Sequence, residues 1–252
     1  MKRSKCQWML PVLGVFLMLA GLAPAQGSAS ACVPAAGDTV LFGSYVQSGG
    51  CSGCEPIEWT VLDEHDGLLL LISRTGLETG PYNSKKQRAT WAESSLRQWL
   101  NSDFVSEAFT DAEQCAIAVT TVSTPAGSFI SPATGEKINI AASSDTQDMV
   151  FLLSVSQVQA YFPKESRRRA PNNAYLLDKP ESGMPYPAEG DPCDFTYGNW
   201  WLRDVRKDKG IKSGFHVKSY GAIASAGQVN LKRYVIRPAI WVDAAYPFDA
   251  CD

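Results

Sequence analysis

Apolar residues fall in short alternating or continuous runs along most of the chain, and the pattern predicts mainly strands. "DTVLFGSYVQ" (38–47) reads as one strand. "PIEWTVLDEHDGLLLLISRTGL" (56–77) holds two apolar runs around Glu64-His65-Asp66-Gly67, which signals a hairpin. Its second run is nearly continuous, so that strand is expected to be buried on both faces. In "TWAESSLRQWLNSDF" (90–104), Leu96, Trp99 and Leu100 recur at helical spacing. "TDAEQCAIA" (110–118) opens with Thr110 and Glu113 in capping-box positions.

The stretch 120–147 is rich in Gly, Pro, Thr and Ser and is expected to form surface loop or a loose hairpin. "MVFLLSVSQVQAYF" (149–162) changes character: Val150–Leu153 reads as a strand, then Ser154 and Gln157 form a second capping box. Val155, Val158 and Tyr161 continue at helical spacing. Residues 163–197 show little periodicity. Short strand patterns follow in "WWLRD", "GFHVKS", "AIASAGQVNL" and "YVIRPAIWV". Strands dominate and the few short helices sit in the first two-thirds, which gives an α+β class of mostly short antiparallel strands. No repeat, low-complexity tract or linker divides the chain after its N-terminal segment, so one domain is expected.

Strand alternation sharpens the reading of two segments. In 199–203, Trp200 and Leu202 share one face, and Trp201 and Arg203 the other. In "VIRPAIWV", Ile236, Ile240 and Val242 share a face, with Arg237 and Trp241 opposite. The Trp/Arg faces suit either a half-exposed ligand groove or packed cation–π pairs inside a small core. Trp201, Arg203, Arg237 and Trp241 are therefore the ligand-binding candidates.

The N-terminus sets the compartment. Lys2, Arg3 and Lys5 precede an uncharged apolar stretch, Met9 to Ala23, and the small residues "APAQGSASAC". This is the pattern of a secretory signal peptide, with cleavage sites after Ala25, Ala29 or Ala31. The alternatives are a retained anchor and a lipoprotein, for which Ala29 is a poor lipobox residue ahead of Cys32. The mature chain is thus expected to be periplasmic, secreted or at the cell surface. No second apolar run approaches membrane-spanning length.

Removing Lys2, Arg3 and Lys5 with that segment leaves 20 basic against 26 acidic side chains, a net charge of −6. Such a balance argues against a nucleic-acid partner. The basic cluster Arg167–Arg169 lies in a Pro- and Asn-containing stretch and reads as a solvated loop.

Cys32, Cys51, Cys54, Cys115, Cys193 and Cys251 remain after cleavage, an even number suited to three disulfides in an oxidising compartment. Cys32 and Cys251 flank the expected fold and are expected to pair, because domain termini often lie together. Cys51–Cys54 and Cys115–Cys193 then follow by elimination. The C-x-x-C at Cys51 and Cys54 also invites a thiol-redox or zinc reading. A redox cysteine wants a helix N-terminus, whereas Pro56 and the strand-like "IEWTVL" follow here. Zinc wants two further ligands, and His65 and His216 are the chain's two histidines and lie far apart.

Recognised catalytic motifs are missing: there is no G-x-S-x-G, H-E-x-x-H, P-loop or G-x-G-x-x-G. His65 reads as a turn residue and His216 as a strand residue. Glu55, Glu58 and Asp63 offer carboxylates for glycoside hydrolysis only if folding pairs them. No metal and no cofactor is implied.

Several stretches together resemble one family: "FGSY", "PIEWTVLD", "LLLLISRTGLETGPYN", "TWAESSLRQWLNSDF", "MVFLLSVSQVQAYF", "WWLRD" and "VIRPAIWV". They are similar to the bacterial DUF6273 family, a domain of unknown function common in secreted and surface proteins, over nearly all of residues 38–243. The family usually continues "WWLR" with a Ser-Pro-Gly turn, where this chain has Asp204-Val205-Arg206. A weaker, fold-level resemblance is to C-type-lectin-like domains of the formylglycine-generating-enzyme type. Neither the calcium-binding tripeptides of sugar-binding lectins nor the cysteine pair of the oxidase branch is evident.

The resulting expectation is a signal peptide over 1–31 and a single DUF6273-like domain over 32–252. Its expected function is a non-enzymatic binding or interaction module for an extracytoplasmic glycan, peptide or protein. The alternative is an exported enzyme, hydrolytic or thiol-redox through Cys51/Cys54.

Overall fold

The computed structural model describes residues 33–49, 53–180, 183–192, 194–207 and 212–250. The expected signal peptide, 1–31, lies outside the described residues. In chain order the first strands are β1 (Thr39–Tyr45), β2 (Glu55–His65), β3 (Leu68–Ser73) and β4 (Glu78–Thr79). Helical residues follow: α1 (Ser95–Trp99), a π-helical turn (Leu100–Phe104), α2 (Val105–Ala108) and α3 (Asp111–Ala116). Strands β5 (Thr120–Thr124), β6 (Gly127–Ile130), β7 (Lys137–Ile140), β8 (Ser143–Asp148) and β9 (Val150–Phe151) lead to α4 (Val155–Tyr161). A 3-10 turn (Glu165–Arg168), β10 (Ala170–Pro171), α5 (Ala174–Leu177), β11 (Tyr197–Gly198) and β12 (Trp200–Val205) come next. The chain closes with β13 (Ser213–Val217), β14 (Ile223–Gln228), β15 (Val235–Ile236), β16 (Ala239–Asp243) and β17 (Asp249–Ala250).

Two sheets carry the architecture. The larger has the order β17-β1-β2-β3-β16-β9 and is antiparallel throughout. The second, β14-β13-β12-β15-β4, is antiparallel except where β15 runs parallel to β12, at Trp200↔Val235. Val33–Asp252 separates as one unit, mostly β with a few short helices.

Local sequence explains the best-defined pieces. Strands β2 and β3 join through Asp66 (φ 51°) and Gly67 (φ 75°), with His65 opposite Leu68. Two successive residues at positive φ make the type I′ hairpin turn for which Asp-Gly is suited. Leu69–Ser73 of β3 are all buried, as a strand flanked by β2 and β16 and covered on both faces requires. Both capping boxes form: Thr110 with Glu113 opens α3, and Ser154 with Gln157 opens α4. The edge strand β9 is closed by Asn101, whose amide donates to the Val150 carbonyl (2.8 Å) and accepts from the Met149 N–H (2.8 Å).

Two expectations need refinement. Of the two forms expected for the 120–147 stretch, loop or loose hairpin, the hairpin forms: β6 pairs antiparallel with β7, and β5 with β8 outside them. Strand β12 has no half-exposed face, since all six of its residues are buried. The core centres on Trp59, Trp91, Trp200 and Trp201, each with no exposed surface.

Candidate functional site

A cleft of about 640 Å³ opens where the two sheets meet the helical layer. Tyr45 reaches it from the end of β1, Glu78 and Thr79 from β4, Trp99 from α1, Glu107 from α2, and Tyr175 and Lys179 from α5 and the residues after it. Phe104, buried beneath, fixes two of the aromatic walls: its ring centroid lies 5.3 Å from Tyr45 and 5.4 Å from Trp99. Asn173 caps α5 by accepting from the Leu176 N–H (3.0 Å), and the Tyr175 N–H donates to the Gln47 carbonyl (3.1 Å). These bonds set Tyr175 over the cleft.

Glu78 is the polar centre. It accepts from the Tyr175 hydroxyl at 3.0 Å and pairs with the Lys179 ammonium, which also lies 4.5 Å from the Tyr175 ring centroid. It also caps the backbone N–H of Thr79 at 2.7 Å. Burial pushes the Tyr45 hydroxyl well above the ordinary tyrosine range, and the negative charges of Glu78 and Glu107 push it further. Burial alone lowers the Lys179 pKa, but the hydrogen bond and charge of Glu78 outweigh it, and the ammonium is held above its usual value. Both shifts run away from neutrality. Acid–base catalysis wants the opposite, a pKa near the working pH. The cleft presents tyrosine hydroxyls, one ammonium, two carboxylates and three aromatic rings.

The four ligand-binding candidates read from the sequence do not meet in one place. Trp201 is fully buried; its indole N–H donates to the Gly80 carbonyl (2.9 Å) and its ring stacks on Tyr234. The expected groove face at Trp201 is thus covered. Arg203 is buried and donates to Thr124 Oγ1 (3.2 Å), the Leu152 carbonyl (3.0 Å), the Ser123 carbonyl (3.1 Å) and Gln157. It ties β12 to the neighbouring elements, and burial lowers its pKa. Arg237 is also buried, and its guanidinium lies 5.3 Å from the Trp200 ring centroid. The expected tryptophan–arginine contact exists, but between the two segments rather than within either. Trp241 is half-buried on β16, opposite Leu70 of β3.

Of the expected disulfides, Cys54 and Cys115 are exposed and free, while Cys32, Cys51, Cys193 and Cys251 lie outside the described residues. Cys54 directly precedes strand β2 and not a helix, so no helix dipole acts on it. The β2 carboxylates are engaged separately: Glu58 with Arg74 (2.7 Å), Asp63 with the Tyr161 hydroxyl (2.9 Å), and Glu55 with Ser48. His65 is exposed at its turn. His216 is buried against Trp201 and Tyr234, and burial lowers its pKa to about 4. Among the described residues, no group of three or more His, Cys, Asp or Glu is placed to hold a metal ion, and no helix is long and apolar enough to cross a membrane.

Sequence reasoning missed Tyr45, Glu78, Trp99, Tyr175 and Lys179. A signal for three of them was present: "FGSY", "LETGPYN" and "SSLRQWL", all within stretches that carry the family resemblance, each contribute lining residues. No curated protein and no solved structure matches the chain. A family profile described as a domain of unknown function, DUF6273, matches residues 66–244. That segment runs from the β2–β3 turn through β16, so "FGSY" and all of β2 precede it. With most of its length matched, the chain belongs to the DUF6273 family.

Proposed function

We propose that this domain is an exported, non-enzymatic binding module that holds a glycan in the cleft around Glu78. One observation carries the reading: Tyr45, Trp99 and Tyr175 surround a hydrogen-bonded Glu78–Lys179 pair in a single open cleft. Aromatic faces pack against the C–H faces of sugar rings, while a carboxylate and an ammonium bond the hydroxyls. A peptide added as a further strand fits less well. Strand β4 is the edge of its sheet, but the Thr79 N–H is already capped by Glu78 and its hydroxyl donates to the Gly183 carbonyl (2.5 Å). Export rests on the charged-then-apolar N-terminus. Kinship with C-type-lectin-like folds rests on the tryptophan–arginine strand pattern alone.

A glycan array on the mature domain, repeated with Trp99→Ala and Glu78→Gln, tests this. Binding to a restricted set of glycans that both substitutions abolish supports it. An empty array, or binding untouched by either change, overturns it.

A further inference from the structure

A second cleft, of about 620 Å³, lies between β2 and the turn carrying Arg167–Arg169. Arg74, Arg167, Arg169 and Arg237 all line it, and no acidic side chain does. That is unexpected in a chain with 26 acidic and 23 basic side chains. The turn is built so that its outer arginines flank the opening. Arg168 points inward, where Nε donates to the Phe162 carbonyl (2.7 Å) and Nη2 to that of Pro163 (3.2 Å). Arg167 and Arg169 on either side stay exposed. Arg169 is held in place by stacking over the Tyr197 ring, 3.6 Å from its centroid, and by a bond to the Ser219 carbonyl (3.3 Å).

Arg237 is the deepest of the four, 4% exposed. Its Nε donates to the Ser73 carbonyl (2.7 Å), and its guanidinium lies between Phe162 (5.5 Å) and Trp200 (5.3 Å). Its Nη1 has no hydrogen-bond partner in the protein. Buried side-chain donors are nearly always bonded, and buried guanidinium groups nearly always face a counter-charge. Of the four, only Arg74 forms an ion pair among the described residues, with Glu58 at 2.7 Å. Asp63 accepts from the Tyr161 hydroxyl. Asp194 accepts from the Thr196 N–H and feels the charge of Arg169 from outside the cleft lining, without an ion pair between them.

We propose that this cleft binds an oxyanion, a carboxylate, phosphate or sulfate group, with Arg237 as the buried donor and Arg167 and Arg169 closing over it from the rim. Planar guanidinium donors match such groups in geometry and charge. Desolvation lowers the Arg237 pKa to about 10, and the negative charge of a bound anion would offset that cost. The site is separate from the aromatic cleft and does not depend on the glycan reading.

Isothermal titration at pH 7 and constant ionic strength tests it, with inorganic phosphate, inorganic sulfate and galacturonate as probes and chloride as control. The expected result is saturable binding of at least one oxyanion and none of chloride. Phosphate or sulfate alone identifies a tetrahedral group, and galacturonate alone a sugar carboxylate. The double variant Arg167→Gln/Arg169→Gln, at exposed positions, should keep the fold and weaken binding about tenfold or more. Arg237→Gln should abolish it; if that variant does not fold, the double variant decides. Trp99→Ala should leave it unchanged. No saturable oxyanion binding, equal response to chloride, or unchanged affinity in the double variant overturns the proposal.

Discussion

The ring of Trp201 lies flat against that of Tyr234, with centroids 3.9 Å apart and planes 23° from parallel. Tyr82 meets the same indole edge-on at 6.0 Å. On the other side a Cβ at Gly227 would fall 2.6 Å from the ring, and one at Gly214 3.0 Å. Trp201 is a packed core residue on every side. Truncating it should therefore cost as much as truncating Trp200, about 3–5 kcal/mol for each alanine variant. Chemical denaturation of the oxidised protein checks this. A much smaller loss for Trp201→Ala would mean that its face is open. Gly227→Ala, which forces the ring aside, should also destabilise.

His216 makes stability depend on pH in a defined direction. Burial holds its imidazole neutral down to about pH 4, while the unfolded chain takes up the proton near 6.5. Between those values the unfolded state binds more protons, so this contribution is complete above pH 6.5 and is lost as pH falls towards 4. The change attributable to His216 is up to about 3 kcal/mol across that window. The difference in stability between wild type and His216→Phe, measured at pH 7 and pH 4.5, should shrink at the lower pH. A constant difference would contradict the assignment.

Much of this fold is legible wherever local chemistry and tertiary burial agree. Asp66-Gly67 names its own turn, the Thr110 and Ser154 boxes name their helices, and the apolar run of β3 announces a strand covered on both sides. Strand β8 was not legible because "SSDTQD" has no apolar residue, yet Thr146 and Asp148 are buried. Asp148 is held there by the Trp91 indole (2.9 Å), Arg97 (2.6 Å) and the Thr146 hydroxyl (2.7 Å). A polar buried face leaves no hydrophobic period to read. The Trp201 groove expectation failed for a related reason. Alternation separates the two faces of β12, but only its neighbours decide whether either face meets water. The aromatic cleft draws on β1, β4, α1, α2 and α5, which no local pattern connects.

Arg203 should behave as a structural residue. Arg203→Met keeps the apolar stem but leaves the carbonyls of Ser123 and Leu152 without their donor. A loss of about 1–3 kcal/mol is expected. Glycan binding by the folded variant should be unchanged. Weakened binding at full stability would return Arg203 to the ligand site.

The chain termini can be tested covalently. Strand β17 pairs with β1 at Val40↔Ala250 and Leu41↔Asp249, which brings the segment just before Cys251 beside the start of the fold. Cys32 and Cys251 should pair in oxidised protein, closing a loop of about 219 residues worth on the order of 5 kcal/mol in the chain-entropy account. Non-reducing peptide mapping checks the linkage. Either cysteine joined elsewhere would refute it.

The most direct test of the binding account follows the tryptophan side-chain N–H signals by ¹H–¹⁵N NMR while an array-selected oligosaccharide is titrated into the mature domain. Trp59, Trp91 and Trp200 donate to Phe42, Asp148 and Arg168 inside the core, whereas half-buried Trp99 lines the aromatic cleft. The account predicts a saturable shift of the Trp99 signal while those of Trp59, Trp91 and Trp200 stay in place. A Trp99 signal that does not move as the oligosaccharide binds, or a response confined to Trp241 on β16, would contradict it.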